Sequence, residues 1–517
     1  MNPNYPSKCT KAAKLCHMGS LEVKSLCELG MSHETDDTSL DWGAAKPAKK
    51  VFCDPIHKHI TLHPVSVAII DTPEFQRLRD IKQLALVQYI YPGATHTRFE
   101  HCLGTAHLAK LFIKKLKEQQ PELNVTEKQV LCLEIAGLCH DLGHGPFSHL
   151  WEDIYEAGAR ARGVQTHWKH ERTSSDLLEH LIRKNNLMPV FERWEAEGGM
   201  GLTADDIRFV HKLIVGDEDS NGSYHFMFQI INNGDSGLDV DKWDYYLRDS
   251  HAVGVPCHFD FLRLVNNARV IEHEGKLHIC FRDKEVQNVY EMFRTRCMLH
   301  RLVYQHRMEK IIEQMVCDAV LMADEKITGI DGRPVSFWQT THNIATDPSD
   351  ENLAAYCLLT DSVVRCHIKF NASSHPDVVK ARELWKAFET RSQRPDCLYT
   401  LVGRIPCAKN SHLTRESLVK ELISEIGGNE VEECDIIARS VSIHWGRQGE
   451  NPVEKVLFFK KNSNTALSSA MWSNFYKHVL PKEFEDSYWN VILRKSDPTC
   501  IRLLRGAVST LFKQAPH

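Results

Sequence analysis

No run of apolar residues in this 517-residue chain approaches the roughly 18 that a membrane span needs. The first residues also lack the apolar centre of a secretory signal. The 17 cysteines include no CxxC pair, so the commonest zinc-module signature is missing. Without a secretory signal they read as reduced thiols of an intracellular protein. Cys132 and Cys139, in apolar surroundings, are expected to be small buried hydrophobes. Positive charge is not in excess either. A formal net charge of −5 argues against wholesale charge-driven binding to nucleic acid, while leaving room for a local basic groove. No internal repeat is present. The length exceeds what one compact core accommodates and implies two to four lobes.

What is present begins with a polar segment. Residues 1–48 carry scattered Ser, Asp, Thr and Lys without periodicity and are expected to form a disordered arm. The run Lys46-Pro-Ala-Lys-Lys50 matches a nuclear address, a pattern that also arises often by chance. Order is expected from about Val51, where Val51–Ile56 and Ile60–Leu62 read as a small β-hairpin. Asp71-Thr-Pro-Glu74 is a helix start, with Thr72 as N-cap and Pro73 at the first helical position. Phe75, Leu78 and Ile81 continue its apolar face.

Helical segments are read at 98–118, 127–140, 173–185, 203–214, 237–249 and 285–325. Breaks come next at Gly332-Arg-Pro334 and Asp347-Pro348, then more helix to about 390. Asp435–His444 and Val453–Phe459 read as strands around a Gly-rich turn. The expectation is a mostly α protein with a small β-hairpin and a smaller α+β C-terminal lobe. Its divisions would be an arm (1–48), a core (49–325) and a C-terminal lobe for regulation or oligomerisation (326–517).

The most informative stretch is Cys139-His140-Asp141-Leu-Gly-His144-Gly-Pro-Phe-Ser-His149, which succeeds an apolar helix and breaks it with Gly143, Gly145 and Pro146. A lone His-Asp pair is usually a surface turn. Three histidines and an aspartate within ten residues, beside two glycines, are less ordinary. Imidazole nitrogen with carboxylate oxygen suits Mn, Fe, Zn or Ni. Two further ligands are read at His101, opening one helical run, and Asp241, in Asp239-Val-Asp-Lys-Trp-Asp-Tyr245. His101, His140, Asp141 and Asp241 would make an N2O2 set with positions left for water and phosphate. Taken singly, each outlying residue is more ordinarily a capping or salt-bridging helix residue.

The pattern His101…His140-Asp141…Asp241 resembles the H…HD…D signature of the HD-domain superfamily. The longer strings Asp54-Pro-Ile-His57, Phe75-Gln-Arg-Leu-Arg79, Pro92–His101, Ala136–His149 and Asp239–Tyr245 are similar to those of the animal SAM-and-HD-domain deoxynucleoside triphosphate triphosphohydrolases. The likeness runs from about Lys49 to about Phe484, strongest over 51–307 and faint after 325. The arm is too short and polar to be a sterile-alpha-motif domain.

The resemblance implies an HD-type helical core and an enzyme that splits a dNTP into deoxynucleoside and inorganic triphosphate. It implies one first-row divalent metal (Fe, Zn or Mn) in the H/HD/D set, with Mg on the nucleotide phosphates. A cation acidifies water and polarises a phosphoryl oxygen, and an imidazole can protonate the leaving oxygen. His149 matches that proton donor and His170 a second active-site histidine. Glu152 stands where relatives carry Asp, one methylene longer, which puts the relay in question.

Arg98, Lys242 and Arg296 match positions that hold the triphosphate, as charge-assisted phosphate binding requires; Tyr245 matches a further phosphate contact. Gln83, Leu84 and Asp249 match the sugar 3′-hydroxyl contacts, Tyr304 the ring against the 2′ carbon, and Gln305 a contact near the base. GTP and dNTP activators bound between subunits of a homotetramer are also implied. Asp71, Gln76 and Arg79 match the guanine readers, and Lys50 and Val51 neighbouring contacts. Arg263, Arg282, Lys284, His306, Arg307, Arg391 and Lys461 match the other activator contacts. Leu302, Cys53 and Thr400 depart from the family's Arg, Asn and Lys, which predicts altered rather than absent activation.

A nuclear compartment and roles in dNTP homeostasis or antiviral defence are further implications of the resemblance. Two rival readings stay open: another HD phosphohydrolase such as a nucleotidase, and a scaffold that binds single-stranded nucleic acid and keeps a vestigial site.

Overall fold

Asp54 closes the first ordered turn: its Oδ1 accepts from the backbone N–H groups of Ile56 (2.8 Å) and His57 (2.7 Å), the side-chain-to-backbone bonding that makes Asp a turn former. The turn joins β1 (Val51–Asp54) to β2 (Lys58–Thr61) in the expected antiparallel hairpin, Val51 opposite Thr61. The computed structural model describes residues 50–196, 201–218, 222–329, 334–390, 399–407, 413–428, 430–468 and 480–514. The arm read at 1–48 and the candidate Arg391 lie outside them.

Helices dominate the chain after this hairpin. Thr72 caps a short helix at Pro73–Gln76 as read, and Phe75, Leu78 and Ile81 are fully buried. The long helix α1 (Arg98–Gln119) starts at Thr97, whose backbone N–H donates to Glu100 at 2.9 Å in a capping box. A left-handed Asn124 turns the chain into α2 (Glu127–Cys139), capped by Thr126 and Gln129. α1 and α2 pack side by side, with Gly137 set against the backbone of Thr105 and Ala106. Cys132 and Cys139 are buried, as expected for small hydrophobes.

Then come α3 (His149–Arg162), α4 (His170–Lys184), α5 (Ala204–Val215), α6 (His225–Ile231) and α7 (Val240–Val253). α7 is capped by Asp239, which accepts from the Lys242 N–H, and lies against α1 with the Trp243 and Phe112 rings tilted to one another at 5.2 Å. No helix among the described residues is long and apolar enough to cross a membrane.

Three local expectations need correction. The interval 250–284 holds a hairpin, β3 (Ala268–His273) and β4 (Lys276–Arg282), that the sequence reading left without structure. Its signal was the two-residue turn Glu274-Gly275, both with positive φ, between alternating strands. The helix read at 285–325 is two helices, α8 (Val286–Leu299) and α9 (Arg307–Ala323), separated by a π turn over His300–Tyr304. The reason is capping: His306 leaves the helical region and accepts from the Met308 N–H.

The strands read around a Gly-rich turn do not pair with each other. After α10 (Pro376–Thr390), β5 (Thr400–Pro406) and α11 (Arg415–Ile426) comes β6 (Ile436–His444), then β7 (Leu457–Phe459), β8 (Leu467–Ser468), β9 (Glu485–Leu493) and α12 (Pro498–Gln514). β6 and β5 flank β9 in one antiparallel sheet. β7 instead runs parallel to β4, Phe281 opposite Phe458, extending the 268–282 hairpin into a second sheet. Partner choice here tracks burial. The β5-β9-β6 sheet covers a core of Val402, Leu418, Leu422, Val491, Leu493, Leu504 and Val508 with α11 and α12. Phe459 packs with Ile271 and Cys280.

Gly104 lies at a close approach of α1 to α7. A methyl there would overlap Asp244 Oδ1 and lie 2.6 Å from an Arg248 guanidinium nitrogen. Gly104→Ala is therefore expected to destabilise the fold by about 3 kcal/mol or more, the cost of breaking a buried ion pair. Urea denaturation checks it, and a change within about 0.5 kcal/mol, as for a neutral surface substitution, would contradict the packing described.

Candidate active site

Three helix ends bring the candidate ligands together. His101 sits in the first turn of α1, His140 caps the C-terminus of α2 with Asp141 next in the turn, and Asp241 lies in the first turn of α7. His101 Nε2 is 3.3 Å from His140 Nε2, 3.0 Å from Asp241 Oδ1 and 3.4 Å from Asp141 Oδ2. His140 Nε2 is 3.4 Å from Asp141 Oδ1 and 3.3 Å from Asp241 Oδ1. Donor atoms about 3.0–3.4 Å apart are what bonds of roughly 2.1 Å to one cation in octahedral or tetrahedral geometry produce. The donor set thus fits a first-row divalent metal, and the outer ring nitrogens fit it too. His101 Nδ1 faces Asp244 Oδ2 at 2.8 Å and His140 Nδ1 faces the Gly137 carbonyl at 2.8 Å, which orients each Nε2 inward.

Electrostatics agree. Burial opposes a charged His101, but Asp241 and Asp244 outweigh it and raise its pKa to about 10. Burial likewise opposes ionisation of Asp141, and Arg98 and His140 overcome it to hold the carboxyl well below its ordinary range. Two buried and two half-buried groups of this kind, converging on one point, need a compensating cation or protons.

The sequence reading gave no role to the residues that hold this set. Asp244 is fully buried and accepts from Arg248 at 2.9 Å through both oxygens, while its Oδ1 lies 2.7 Å from His57 Nε2. Arg248 also donates to Asp54 at 2.7 Å. The turn after Asp141 is tied by Arg77, which donates to the Leu142 and His144 carbonyls, by Ser174 on Gly143 N–H, and by Tyr356 on the Gly143 carbonyl. Phe147 and Ser148 both adopt positive φ, a costly state for residues with a Cβ. Asp361 accepts from Phe147 N–H and Lys82 N–H, and Ser148 Oγ donates to the Lys82 carbonyl, fixing that turn in place.

Beyond it, His149 opens α3, and its side chain is 71% exposed. Its Nδ1 is 3.5 Å from Glu152 Oε1, which lies 2.7 Å from His170 Nδ1. Lys169 donates to the other Glu152 oxygen at 2.8 Å. The longer Glu side chain therefore spans both histidines. His144, unassigned from sequence, stacks on His170 at 3.8 Å.

A cavity of about 500 Å³ opens beside these groups. Its walls carry His140, Asp141, Asp241, His149 and His170, together with Gln83, Leu84, Arg98, Lys242, Tyr245, Asp249, Arg296, Tyr304 and Gln305. His101 lies behind the wall, fully buried. Arg98 bonds Asp141 at 2.5 Å, Lys242 bonds Asp239 at 2.7 Å and Arg296 donates to the His444 carbonyl at 2.6 Å. Asp249 accepts from Tyr304 at 2.5 Å and faces His96 at 2.7 Å. His300, Glu309, Lys310 and Glu313 also line the cavity without having been singled out from sequence.

The remaining candidates lie elsewhere. Lys50 pairs with Asp71, and Arg79 donates to Gln76 at 2.8 Å while covering the Phe99 ring. Val51 next to them is exposed. Arg263 pairs with Glu285, Arg282 lies over Phe459, and Lys284 and Lys461 are exposed. Arg307 and Thr400 share a second cavity of about 340 Å³, and His306 caps α9. Leu302 and Cys53 are exposed.

A helical scaffold presenting two imidazoles and two carboxylates to one point is the arrangement of an HD phosphohydrolase, and the HD-domain family model matches residues 98–207. The chain is 40% identical to the human protein "Deoxynucleoside triphosphate triphosphohydrolase SAMHD1" over 470 residues, 87% of this chain and 71% of that relative. It is 31% identical to the SAMHD1 homolog of Dictyostelium discoideum over 480 residues, covering 93% of this chain and 84% of the relative. The chain belongs to the SAMHD1 deoxynucleoside triphosphate triphosphohydrolase family.

Two outcomes test this geometry. Asp244→Asn is expected to lower metal affinity 10–100-fold, the usual effect of removing an outer carboxylate from a ligating histidine. Metal content after dialysis against a graded chelator measures it, and unchanged retention would contradict the role. Glu152 provides the second. Burial opposes its ionisation, but His149, His170 and Lys169 outweigh burial and hold its pKa well below the ordinary value. A depressed carboxylate stabilises the fold above about pH 4.3 and loses that contribution as pH falls below it. Glu152→Gln should flatten the acid limb of the Tm-versus-pH profile, and an unaltered limb would refute the pairing.

Proposed function

We propose that the protein hydrolyses deoxynucleoside triphosphates to deoxynucleoside and inorganic triphosphate. The observation that carries this reading is one cavity whose walls carry His140, Asp141 and Asp241 of the donor set together with Arg98, Lys242, Arg296 and the Tyr304–Asp249 pair. Three cations on the walls of one cavity suit a chain of phosphate oxygens better than a single phosphate. Tyr304, held by its bond to Asp249, is the wall against which a ribose 2′-hydroxyl would clash.

His101, His140, Asp141 and Asp241 would hold the divalent cation. When bound, it would supply Lewis acidity toward the α-phosphoryl group and acidify a water. Water oxygen adds to the α-phosphorus, the P–O5′ bond breaks, and the 5′ oxygen takes a proton. His149 is exposed to the cavity and backed by Glu152, so it is the group to deliver that proton. Lys242 is suited to the phosphates: burial works against its charge, but Asp239 and Asp241 outweigh burial and raise its pKa to about 12.

Activation by GTP and a dNTP between subunits of a tetramer is part of the reading, with magnesium on the activator and substrate phosphates. The Lys50–Asp71 pair would open to let the Asp71 carboxylate accept from guanine N1 and N2, with Gln76 and Arg79 beside it. Leu302, Cys53 and Thr400 remove polar contacts there, so activation should need more nucleotide or a different one.

The test is product analysis with each dNTP and magnesium, with and without GTP, against Asp241→Ala. Deoxynucleoside plus inorganic triphosphate from wild type, with at least a hundredfold loss in the variant, is the expected result. Mono- or diphosphate products would move the chain to another HD hydrolase. Salt-sensitive oligonucleotide binding without turnover would favour a scaffold. A flat GTP titration with no tetramer by light scattering would remove the activation scheme.

A further inference from the structure

A second group of metal-type donors lies outside the cavity just described. His225 opens α6, Asp235 lies on the loop leading to the N-cap of α7, and His278 is on β4. None of the three lines the catalytic cavity. Their facing donor atoms are His225 Nε2, Asp235 Oδ2 and His278 Nδ1, all within 4.8 Å of one another.

The hydrogen bonds around these atoms leave a charge missing. His225 Nδ1 lies 2.7 Å from Glu218 Oε2, and a carboxylate there draws the ring proton to Nδ1. Nε2 faces Asp235 Oδ2 at the same 2.7 Å, so a ring with a single proton sets an acceptor against an acceptor on one side unless a positive centre lies there. His278 Nδ1 faces the same oxygen at 3.7 Å. The one side chain that donates into this convergence among the described residues is Gln229, whose amide nitrogen is 3.2 Å from His225 Nε2, 2.8 Å from Asp235 Oδ2 and 3.1 Å from His278 Nδ1. Its orientation is set by Oε1, which accepts from the Ile279 N–H at 2.8 Å. Lys276 Nζ answers Glu218 Oε2 at 3.2 Å, which leaves the Asp235 carboxylate facing two imidazoles and one neutral amide, so with neutral rings the cluster is one positive charge short.

We propose that His225 Nε2, His278 Nδ1 and Asp235 form a site for a zinc-class divalent cation, with Glu218 as the carboxylate behind His225. Two imidazoles and a carboxylate are a borderline-soft N2O set that leaves a fourth position for water. Bonds of about 2.0–2.1 Å to one cation need donors about 3.0–3.4 Å apart, and the observed 2.7 and 3.7 Å bracket that range. Occupancy therefore asks for shifts of a few tenths of an ångström in the two distances to Asp235, closure of the two imidazoles on one another, and withdrawal of the Gln229 amide. Asp235 shares its loop with Asn233, whose backbone N–H donates to Asp239, the cap of the helix that carries Asp241. His278 is on the hairpin that ends at Arg282. A cation would clamp that hairpin to the loop feeding α7.

The inference is independent of the proposed reaction and its test reads metal, not turnover. Metal-stripped protein is titrated with ZnCl2 at micromolar concentration and its content measured after gel filtration. Wild type should retain two equivalents, and both His278→Gln and Asp235→Asn one. Zinc should still raise the Tm of Asp241→Ala, which lacks a catalytic ligand, but not that of Asp241→Ala/His278→Gln. Cobalt(II) should give a visible band in Asp241→Ala that His278→Gln removes. Equal zinc content in wild type and His278→Gln overturns the proposal. So does uptake only at millimolar zinc, because the missing charge is then a proton on His225 between two carboxylates.

Discussion

The buried carboxylate of Asp244 is the constraint on which the site depends. It is fully enclosed, and a lone charge in that position would be prohibitively costly. It is matched by Arg248 on its own helix, by His57 from the first hairpin and by His101 from α1. Arg248 in turn reaches Asp54, the residue that closes the hairpin turn. One ion cluster thus locks β1–β2, α1 and α7 together and aims the His101 lone pair at the metal position. Gly104 is the residue that lets α1 come close enough for this to happen.

The other half of the donor set depends on a different kind of restraint. His140 and Asp141 sit where α2 ends, and the turn beyond them contains two residues with strained positive φ. Such a turn persists only when its surroundings over-determine it. Here Arg77, Ser174, Tyr356 and Asp361 each bond its backbone, from four separate parts of the chain. Asp361 bonds both this turn and Lys82, next to Gln83, so the His149 and Gln83 sides of the cavity are positioned by one carboxylate. Burial and the neighbouring Asp80 raise the pKa of Asp361 to about 7 despite those two bonds.

The C-terminal sheet is not remote from this chemistry. Arg296 of the cavity wall donates to the last residue of β6, and Arg439 in the middle of that strand bonds Glu313 of the wall at 2.9 Å. β7 and then β8 extend the sheet of the 268–282 hairpin. The segment beyond 325 therefore contributes to the shape of the cavity and to the hairpin that carries Arg282.

Much of the helical core was legible from sequence because its signals are local. Capping pairs such as Thr97 with Glu100 and Thr126 with Gln129, apolar periodicity and the break at Gly143 act over a few residues. The donor residues were legible because a metal needs particular side-chain types, and His140-Asp141 with its glycines is an uncommon local string. Strand partners were not: β6 and β7 look alike as short apolar runs, and only the faces they bury decide which sheets they join. The break at His300–Tyr304 was hidden inside a continuous apolar pattern. The positions of Asp244, Arg77 and Asp361 as supports were also invisible, because each acts through a backbone or ring brought near by folding. Sequence alone determined which groups are available and where several of the helices begin, though not α3 or α6; tertiary structure decided which lone pairs face one another. The reason is physical: helix signals are set by neighbours along the chain, whereas coordination and charge pairing are set by distance in space.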